Sequence, residues 1–309
     1  MRFLKNPNIN FLKWRWHALA LSAVVVGAGL FTMATRGLPL GIDFSGGTAM
    51  VLGFEQPTSE DAVRQALATV PGEKVVQQYG QPGDNQVLVR LPILEDAEQG
   101  ANITAGAEAV SAALETADIG RFEILSEDIV GPVIGSDLQQ KGIAATLTAL
   151  GGILVYVGFR FRFTFAIGGI VAVFHDILVT VSFLTWFGYD LSLNVVAAIL
   201  AITGYSVNDT IVVFDRAREN QRLMRREPLD QLINRSVNQT LGRTIITSGT
   251  TLLAVGSLFV LGGEVLRGFA FTMIVGVITG TYSTVFIAAA VAIMLTRPVA
   301  VPARTRRKK

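Results

Sequence analysis

The sequence predicts a polytopic α-helical membrane protein with six transmembrane helices and a small α+β ferredoxin-like external domain between helices one and two. Half of the 309 residues are apolar and only 16% are charged. The mean hydropathy is +0.48, which is too apolar for an ordinary soluble domain. Several apolar runs are long enough to cross a hydrocarbon core of about 30 Å, which needs about 20 helical residues. One long acidic segment separates the first run from the others.

Six apolar runs are predicted to span the membrane. They occupy 16–35, 142–159, 163–187, 191–214, 244–262 and 268–295. The first run has no small-x-small cleavage site, so we interpret it as a retained anchor. The predicted domains are an arm (1–15), helix one (16–35), an external α+β domain (36–141), a five-helix bundle (142–296) that includes a loop (215–243), and a basic tail (297–309).

The formal net charge of +2 conceals a separation of charge along the chain. In 36–141 the acids outnumber the six Lys and Arg, whereas the arm, the turn at 160–162, the loop 215–243 and the tail are basic. With six helices, all four basic segments fall on one side of the membrane. The positive-inside rule therefore predicts cytoplasmic termini and an extracytoplasmic acidic domain. The expected location is the cell (inner) membrane.

The acidic segment predicts strands and helices in the order β-α-β-β-α-β, which is typical of a ferredoxin-like sandwich. The strand-like stretches are 47–55, 74–80, 85–92 and 122–130, and the helix-like stretches are 58–70 and 102–117. No set of nucleophile, base and orienting residue occurs among them. An enzymatic role of this domain is not expected.

The loop 215–243 contains an amphipathic stretch after Pro228, a favoured first residue of a helix. Its apolar residues recur at helical spacing; they are Leu229, Leu232, Ile233, Val237 and Leu241. Two interpretations stay open. The stretch is either an interfacial helix that lies on anionic headgroups or a docking face for a cytoplasmic partner.

Asn208 and Asp209 lie in an otherwise apolar run, in the sequence GYSVNDT at 204–210. A carboxylate at this depth costs a few kcal/mol and marks an ion path by default. Arg243 begins helix five, which runs antiparallel to helix four, so its guanidinium is predicted to pair with Asp209. The alternative is that Asp209 only ties helices together and that Arg243 reaches to the headgroups.

His175 and Asp176 are adjacent near the centre of helix three. His titrates near neutrality when it is unperturbed, and an acid can share its proton. A proton relay and a purely structural hydrogen bond are both open interpretations. Because adjacent helical residues point about 100° apart, the two side chains are predicted to face different neighbours.

Two further patterns concern packing and chemistry. Gly276 and Gly280 form a GxxxG pair, which predicts close helix packing. The chain contains no Cys and two His, which excludes disulfides and thiolate metal sites and argues against the usual zinc site. No phosphate-binding loop or triad is present, so we expect no cofactor, no metal, no nucleic-acid partner and no hydrolytic activity.

Four signatures together resemble the SecF family of the bacterial SecD/SecF protein-export complex. They are GIDFSGG (41–47), VGFRFRF (157–163), HD (175–176), and GYSVNDTIVVFDRARENQR (204–222) followed by GRTIITSGTTLL (242–253). With the single external insert, the resemblance covers nearly the whole chain. It implies a fold like half of a resistance-nodulation-division transporter, with SecD as the other half.

The resemblance also implies a function. The complex would use the proton gradient, or in some bacteria the sodium gradient, to draw unfolded preproteins out of the SecYEG channel after the ATPase SecA has pushed them in. Asp209 would be the proton-responsive acid and Arg243 its ion-pair partner. The signature Gly41, Asp43, Gly46 and Gly47 would shape the exit of helix one. A proton-coupled efflux subunit and a passive scaffold of the translocon remain alternatives.

Overall fold

A computed structural model describes residues 7–72, 74–80, 83–91, 104–224 and 227–296. The predicted basic tail at 297–309, the first six residues of the arm, and Arg225 and Arg226 of the basic loop lie outside the described residues. The first two residues of the predicted helix 102–117 also lie outside them.

The described chain forms ten α-helical and four β-strand segments in this order. The helices are α1 (Arg15–Arg36), α2 (Ile42–Ser45), α3 (Glu60–Ala66), α4 (Ala105–Ala117), α5 (Pro132–Arg160), α6 (Phe163–Phe187), α7 (Leu193–Leu223), α8 (Leu229–Leu261), α9 (Glu264–Ser283) and α10 (Ala289–Leu295). The strands are β1 (Gly47–Phe54), β2 (Val75–Tyr79), β3 (Gln86–Leu91) and β4 (Phe122–Val130). A π-helical turn, Thr284–Ala288, joins α9 to α10 as one continuous span.

Within the described ranges, six helices are long and apolar enough to cross a membrane. They are α1, α5, α6, α7, α8 and the α9–α10 span. The α6, α7 and α9–α10 helices form the buried centre of the bundle, whereas α5 and α8 expose most of their length. The six predicted transmembrane helices are confirmed.

The external domain has the predicted β-α-β-β-α-β order, from β1 through α3, β2, β3 and α4 to β4. Its sheet has the strand order β2-β3-β1-β4, and all neighbours are antiparallel. Alternate apolar side chains of β1 and β3 point to one face, where they pack on α3 and α4. Fully buried members of this core include Met50, Leu52, Val63, Val87 and Val110. The predicted fold class is therefore confirmed.

Close contacts between helices occur where the bundle contains glycine. A Cβ on Gly280 would lie 2.9 Å from the Cβ of Ser206 on α7, and a Cβ on Gly276 would collide with Ile202. A Cβ on Gly168 of α6 would lie 2.6 Å from the carbonyl oxygen of Ala288. The GxxxG pair thus packs directly on α7, as the sequence predicts.

The region 215–243 forms a helical hairpin instead of a loop with a separate surface helix. The α7 helix continues to Leu223, and α8 runs unbroken from Leu229 into the fifth span. Leu232, Ile233 and Val237 are buried against Phe214 and other core residues. Both interpretations of the amphipathic stretch are therefore wrong, because its apolar face already packs inside the protein.

The segment before α1 is fixed to the start of α8 by two asparagines. The Ile9 and Phe11 amides donate to Oδ1 of Asn238 and Asn234, both at 2.9 Å. In return, Nδ2 of each asparagine donates to the Ile9 carbonyl, at 2.8 and 3.0 Å. The Leu12 amide also donates to Oδ1 of Asn234, at 3.5 Å. Five hydrogen bonds thus join two segments that are more than 220 residues apart in sequence.

Candidate functional site

Asp209 lies on α7 and faces α8 with only 9% of its surface exposed. Its Oδ1 accepts a hydrogen bond of 2.7 Å from Oγ1 of Thr244. Its Oδ2 is buried and accepts no hydrogen bond from any described residue. A buried carboxylate oxygen without a donor is unfavourable when the group is ionised. Asp209 is therefore a membrane-embedded acid whose ionised form is only half satisfied.

The predicted ion pair between Arg243 and Asp209 is absent from this structure. Among the described residues, the ion pairs within 4.0 Å do not include this one. The reason is the rotation of α8: Thr244 is 3% exposed and points at α7, whereas the preceding residue points about 100° away. Arg243 is exposed, and the predicted direct contact is replaced by the Thr244 hydroxyl.

Arg243 and Asp209 nevertheless line one cleft of about 230 Å³ between α7 and α8. All of its lining residues except Val212 carry a polar group. Its other lining residues are Tyr205, Asn208, Val212, Thr247, Thr250 and Thr251. Asn208, the second polar residue predicted in this region, is exposed in the cleft. Polar side chains at membrane depth face a bundle interior, a partner or water, so the cleft brings a cation and an acid together in a polar setting.

His175 and Asp176 form a second buried polar site. Nδ1 of His175 lies 3.0 Å from Oδ1 of Asp176, and Nε2 lies 2.9 Å from Oγ of Ser22 on α1. The two side chains are 9% and 2% exposed. The two side chains contact different helices, as predicted. They also bond to each other, because both are long enough to meet although adjacent helical positions point about 100° apart.

The second oxygen of Asp176 is held by two hydroxyl groups. Ser206 of α7 donates to Oδ2 at 2.5 Å, and Ser283 of α9 donates at 2.8 Å. The polar contacts of this pair thus join α1, α6, α7 and α9. Ser206 lies one helical turn from Asp209 on α7, yet no hydrogen bond among the described residues connects Asp209 with Asp176. The two acids are separate sites.

The GIDFSGG segment forms the turn between α1 and β1. Gly46 and Gly47 have φ angles of +69° and +123°, which L side chains rarely adopt, so both serve the predicted tight turn. Gly41 does not, because its φ is −70°. A Cβ on Gly41 would lie 3.2 Å from the carbonyl oxygen of Leu191, so this glycine permits close approach of two backbones instead.

That approach attaches the external domain to the loop between α6 and α7. The Gly41 amide donates to the Leu191 carbonyl at 2.9 Å, and the Leu191 amide donates to the Pro39 carbonyl at 2.6 Å. Asp43, the fourth signature residue, accepts a hydrogen bond of 2.8 Å at Oδ2 from the Leu193 amide, at the first turn of α7. The signature thus contacts the helix that carries Asp209.

An ion pair supports the same attachment. Nη1 of Arg90 on β3 contacts Oδ2 of Asp190 in the loop between α6 and α7. Nη2 of Arg90 donates to Oε1 of Gln77 at 3.2 Å. Burial raises the pKa of Asp190, and the adjacent guanidinium opposes part of that rise. We call the contacts among residues 39–43, residues 190–193 and Arg90 the outer joint.

Several residues of these sites could not be predicted from the sequence. Thr244, Ser22, Ser206 and Ser283 have no local signal beyond a hydroxyl in an apolar run, which is common in membrane helices. Arg90 follows the alternation of a half-buried strand. Its partner is 100 positions away in the sequence, so only the fold identifies the pair.

The sequence matches two protein families. Residues 109–298 match "Protein export membrane protein SecD/SecF, C-terminal". Residues 31–58, which include the outer-joint signature, match the "SecD/SecF GG Motif".

Similar proteins cover almost the whole chain. Protein translocase subunit SecF of Desulfurispirillum indicum is 42% identical over 91% of this chain and 89% of its own length. The SecF subunit of Pseudomonas aeruginosa is 43% identical over 94% of this chain and 93% of its own. The crystal structure of SecDF, a translocon-associated membrane protein from Thermus thermophilus, superposes with a TM-score of 0.81 at 36% identity over 94% of this chain. The chain spans 39% of the length of that SecDF chain.

Proposed function

The chain belongs to the SecF branch of the SecD/SecF protein-export family, the membrane subunits of the protein translocase, and on this premise we propose that it couples the proton-motive force to late steps of preprotein export. The energy source is the ion gradient, so the subunit performs no hydrolysis of its own. Its proposed location is the inner membrane, with both termini in the cytoplasm and the external domain outside.

The observation that carries this proposal is the half-satisfied carboxylate of Asp209. Oδ1 is held by Thr244, whereas Oδ2 has no donor among the described residues. A proton that reaches Oδ2 neutralises a buried charge and removes the attraction between Asp209 and the cation of Arg243 across the cleft. Protonation therefore changes the balance of forces between α7 and α8, and such a change can bias a two-state element.

The α7 helix offers a route from this acid to the external domain. Asp209 and Leu193 are sixteen residues apart on it, which corresponds to about 24 Å of helix. Leu193 donates to Asp43 in the outer joint, and Arg90 of β3 contacts the preceding loop. A shift of α7 against α8 would thus be passed to the domain that meets the emerging preprotein.

The proposed partners follow from the exposed part of the cleft and from the family. Asn208, Thr247 and Thr250 are exposed at membrane depth, where polar groups need a partner or water. We assign this face to the half-transporter SecD, beside membrane lipids elsewhere. The SecYEG channel, the ATPase SecA and the unfolded preprotein complete the proposed assembly.

The test replaces Asp209 by Asn in the full chain assembled with SecD, in membrane vesicles that carry the channel and a preprotein. Export is measured with and without an imposed proton gradient. Asp209→Asn should lose the stimulation by the gradient and keep assembly with SecD. Asp230→Asn, the same change at an exposed position at the start of α8, should keep it.

The alternatives give different results in the same vesicles. A passive scaffold would support equal export with either variant, and gradient-driven export by Asp209→Asn at the unmodified level would overturn the proposal. An efflux subunit would instead release small apolar compounds in a gradient-dependent way without any preprotein, which also contradicts the proposal.

A further inference from the structure

The hydrogen bonds around His175 can be assigned donor by donor, beginning at Tyr282. The Tyr282 hydroxyl lies 2.6 Å from the carbonyl oxygen of Ala18. A carbonyl can only accept, and a tyrosine hydroxyl has a single hydrogen. The hydrogen of Tyr282 is therefore committed to Ala18.

The next assignment concerns Ser22. Its Oγ lies 3.1 Å from the Tyr282 oxygen. Because Tyr282 has no hydrogen left, Ser22 must donate in this contact. Ser22 also has one hydrogen, so it is an acceptor in its 2.9 Å contact with Nε2 of His175. Nε2 of His175 therefore carries a hydrogen.

The hydrogen on Nε2 determines whether a proton must lie between Nδ1 of His175 and Oδ1 of Asp176. With the hydrogen on Nε2, a neutral imidazole presents the lone pair of Nδ1 to Oδ1 of Asp176, 3.0 Å away. An ionised carboxylate would oppose that lone pair with another. A hydrogen bond at this distance needs a proton, either on Nδ1 as an imidazolium or on Oδ1 as a carboxylic acid.

We propose that His175 and Asp176 form a second proton-binding site of the chain, a buried pair that holds one shared proton and is neutral as a whole. Oδ2 of Asp176 is compatible with either form, since it accepts from the Ser206 and Ser283 hydroxyls. A neutral pair also avoids the cost of an unbalanced charge inside the bundle.

The neighbouring helices add little charge to this site. From α9, the Tyr282 ring stacks on the imidazole with centroids 6.1 Å apart. From α1 and α7 the contacts are the hydroxyls of Ser22 and Ser206, and Asp209 is the acid one turn further along α7. Among the described residues, the ion pairs within 4.0 Å of Asp176 include only His175.

Loss of the shared proton must rearrange contacts between helices. The remaining hydrogen of His175 would move to Nδ1, where it bonds the ionised Asp176. Nε2 would then need the hydrogen of Ser22, and the contact from Ser22 to Tyr282 would lose its only hydrogen. Occupancy of the site is thus linked to the hydrogen bonds that join α1 and α9, and α1 leads directly to the external domain.

The test is nitrogen NMR of the full chain, labelled with ¹⁵N-histidine and reconstituted with SecD in lipid bilayers near neutral pH. The chain has two histidines, and His17→Gln leaves His175 as the single signal pair. The expected result is a protonated Nε2 together with an Nδ1 whose shift is that of a nitrogen sharing or carrying a proton. A protonated Nδ1 with a bare Nε2 would overturn the proposal.

Two variants sharpen the test. Tyr282→Phe frees the Ser22 hydrogen for a bare Nε2, which favours the state in which the shared proton has left and the remaining hydrogen of His175 lies on Nδ1. We therefore expect a larger fraction of this state than in the unmodified chain at the same pH; an equal fraction would contradict the assignment. Asp176→Asn removes the shared proton, so Nδ1 should shift to the range of an unprotonated acceptor; an unchanged Nδ1 signal would also contradict it. The second proton site adds to the proposed function, but the two are tested separately. The spectra of His175 can contradict the shared proton whatever the export measured for Asp209→Asn.

Discussion

The outer joint makes a quantitative prediction for Arg90→Met. The substitution keeps much of the apolar stem of the side chain and removes the guanidinium that contacts Asp190. Asp190 is left as a largely buried carboxylate without its cation. We therefore expect the external domain to detach more often from the loop between α6 and α7.

The magnitude follows from the burial of the pair. The side chains of Arg90 and Asp190 are 11% and 22% exposed. Breaking a fully buried pair costs about 3–5 kcal/mol, and an exposed pair contributes about 0–1 kcal/mol. A value of about 2 kcal/mol lies between these limits. It corresponds to about a 30-fold increase in local opening.

Hydrogen exchange measures this opening. The Gly41 and Leu191 amides donate across the joint. In Arg90→Met their exchange should therefore accelerate by the same factor as local opening, about 30-fold. Amides in the core of β1 should change little, because the domain itself stays folded. Asp190→Asn in the Arg90→Met background should recover part of the protection. Unchanged exchange at Gly41 and Leu191 in Arg90→Met would refute the reasoning.

The pH dependence provides a second check on the same joint. The pKa of Asp190 is raised above its ordinary value of 3.8, chiefly by burial and against the attraction of Arg90. A raised pKa means that protonation of Asp190 stabilises the docked state below pH 3.8, and that this contribution is lost as the pH rises through the raised value. In Arg90→Met the pKa of Asp190 should rise further, because the attraction of the guanidinium is lost. As the pH is lowered, protection of the joint amides from exchange should therefore begin to recover at a higher pH than in the unmodified chain. Asp190→Asn should abolish this pH dependence of amide protection at the outer joint.

Three further predictions concern the other contacts. Thr244→Val should lower the free energy of unfolding by about 1–3 kcal/mol and impair gradient-driven export, because it leaves both oxygens of Asp209 without a donor among the described residues. Thr244→Ser should retain both properties, and equal loss in the two variants would contradict the role of the hydroxyl. Asp43→Ala should cost about 0.5–2 kcal/mol at the first turn of α7, seen as faster exchange of the Leu193 amide, whereas unchanged exchange would contradict the contact. Gly168→Ala should lower the thermal stability of the complex by about 1–3 kcal/mol, because its Cβ meets backbone, and an unchanged melting temperature would contradict this packing.

The number and type of elements could be predicted because they depend on local properties of the sequence. Apolar length identifies a span, and period-two alternation identifies strands in the external domain. The helix ends were less predictable. The α5 helix begins at Pro132, ten residues before the predicted start, and α7 continues to Leu223, nine residues past its predicted end. Both extensions lie beyond the apolar run. The α7 extension packs on α8 through Asn220, which donates to Ser236, and the mostly exposed α5 extension packs closely at Gly135, against Gly46.

The two charged residues of the cleft, Asp209 and Arg243, were predictable, but the residue that bonds to Asp209 was not. Membrane topology alone places Asp209 and Arg243 on the same side, and the cleft contains both. Which residue of α8 touches Asp209 depends on the rotation of that helix, where one position changes direction by about 100°. The sequence offers no measure of that rotation. The same limit applies to His175 and Asp176, whose mutual bond depends on side-chain rotamers.

The asparagine contacts before α1 have a consequence for the order of biosynthesis. Ile9 leaves the ribosome 229 positions before Asn238, the residue that binds it. At about 5–20 residues per second, the delay is about 10–50 s. During that time α1 can enter the bilayer, but its leading segment has no asparagine to bind. These hydrogen bonds therefore form late, after four spans have been made, and they join an earlier segment of the nascent chain to a much later one.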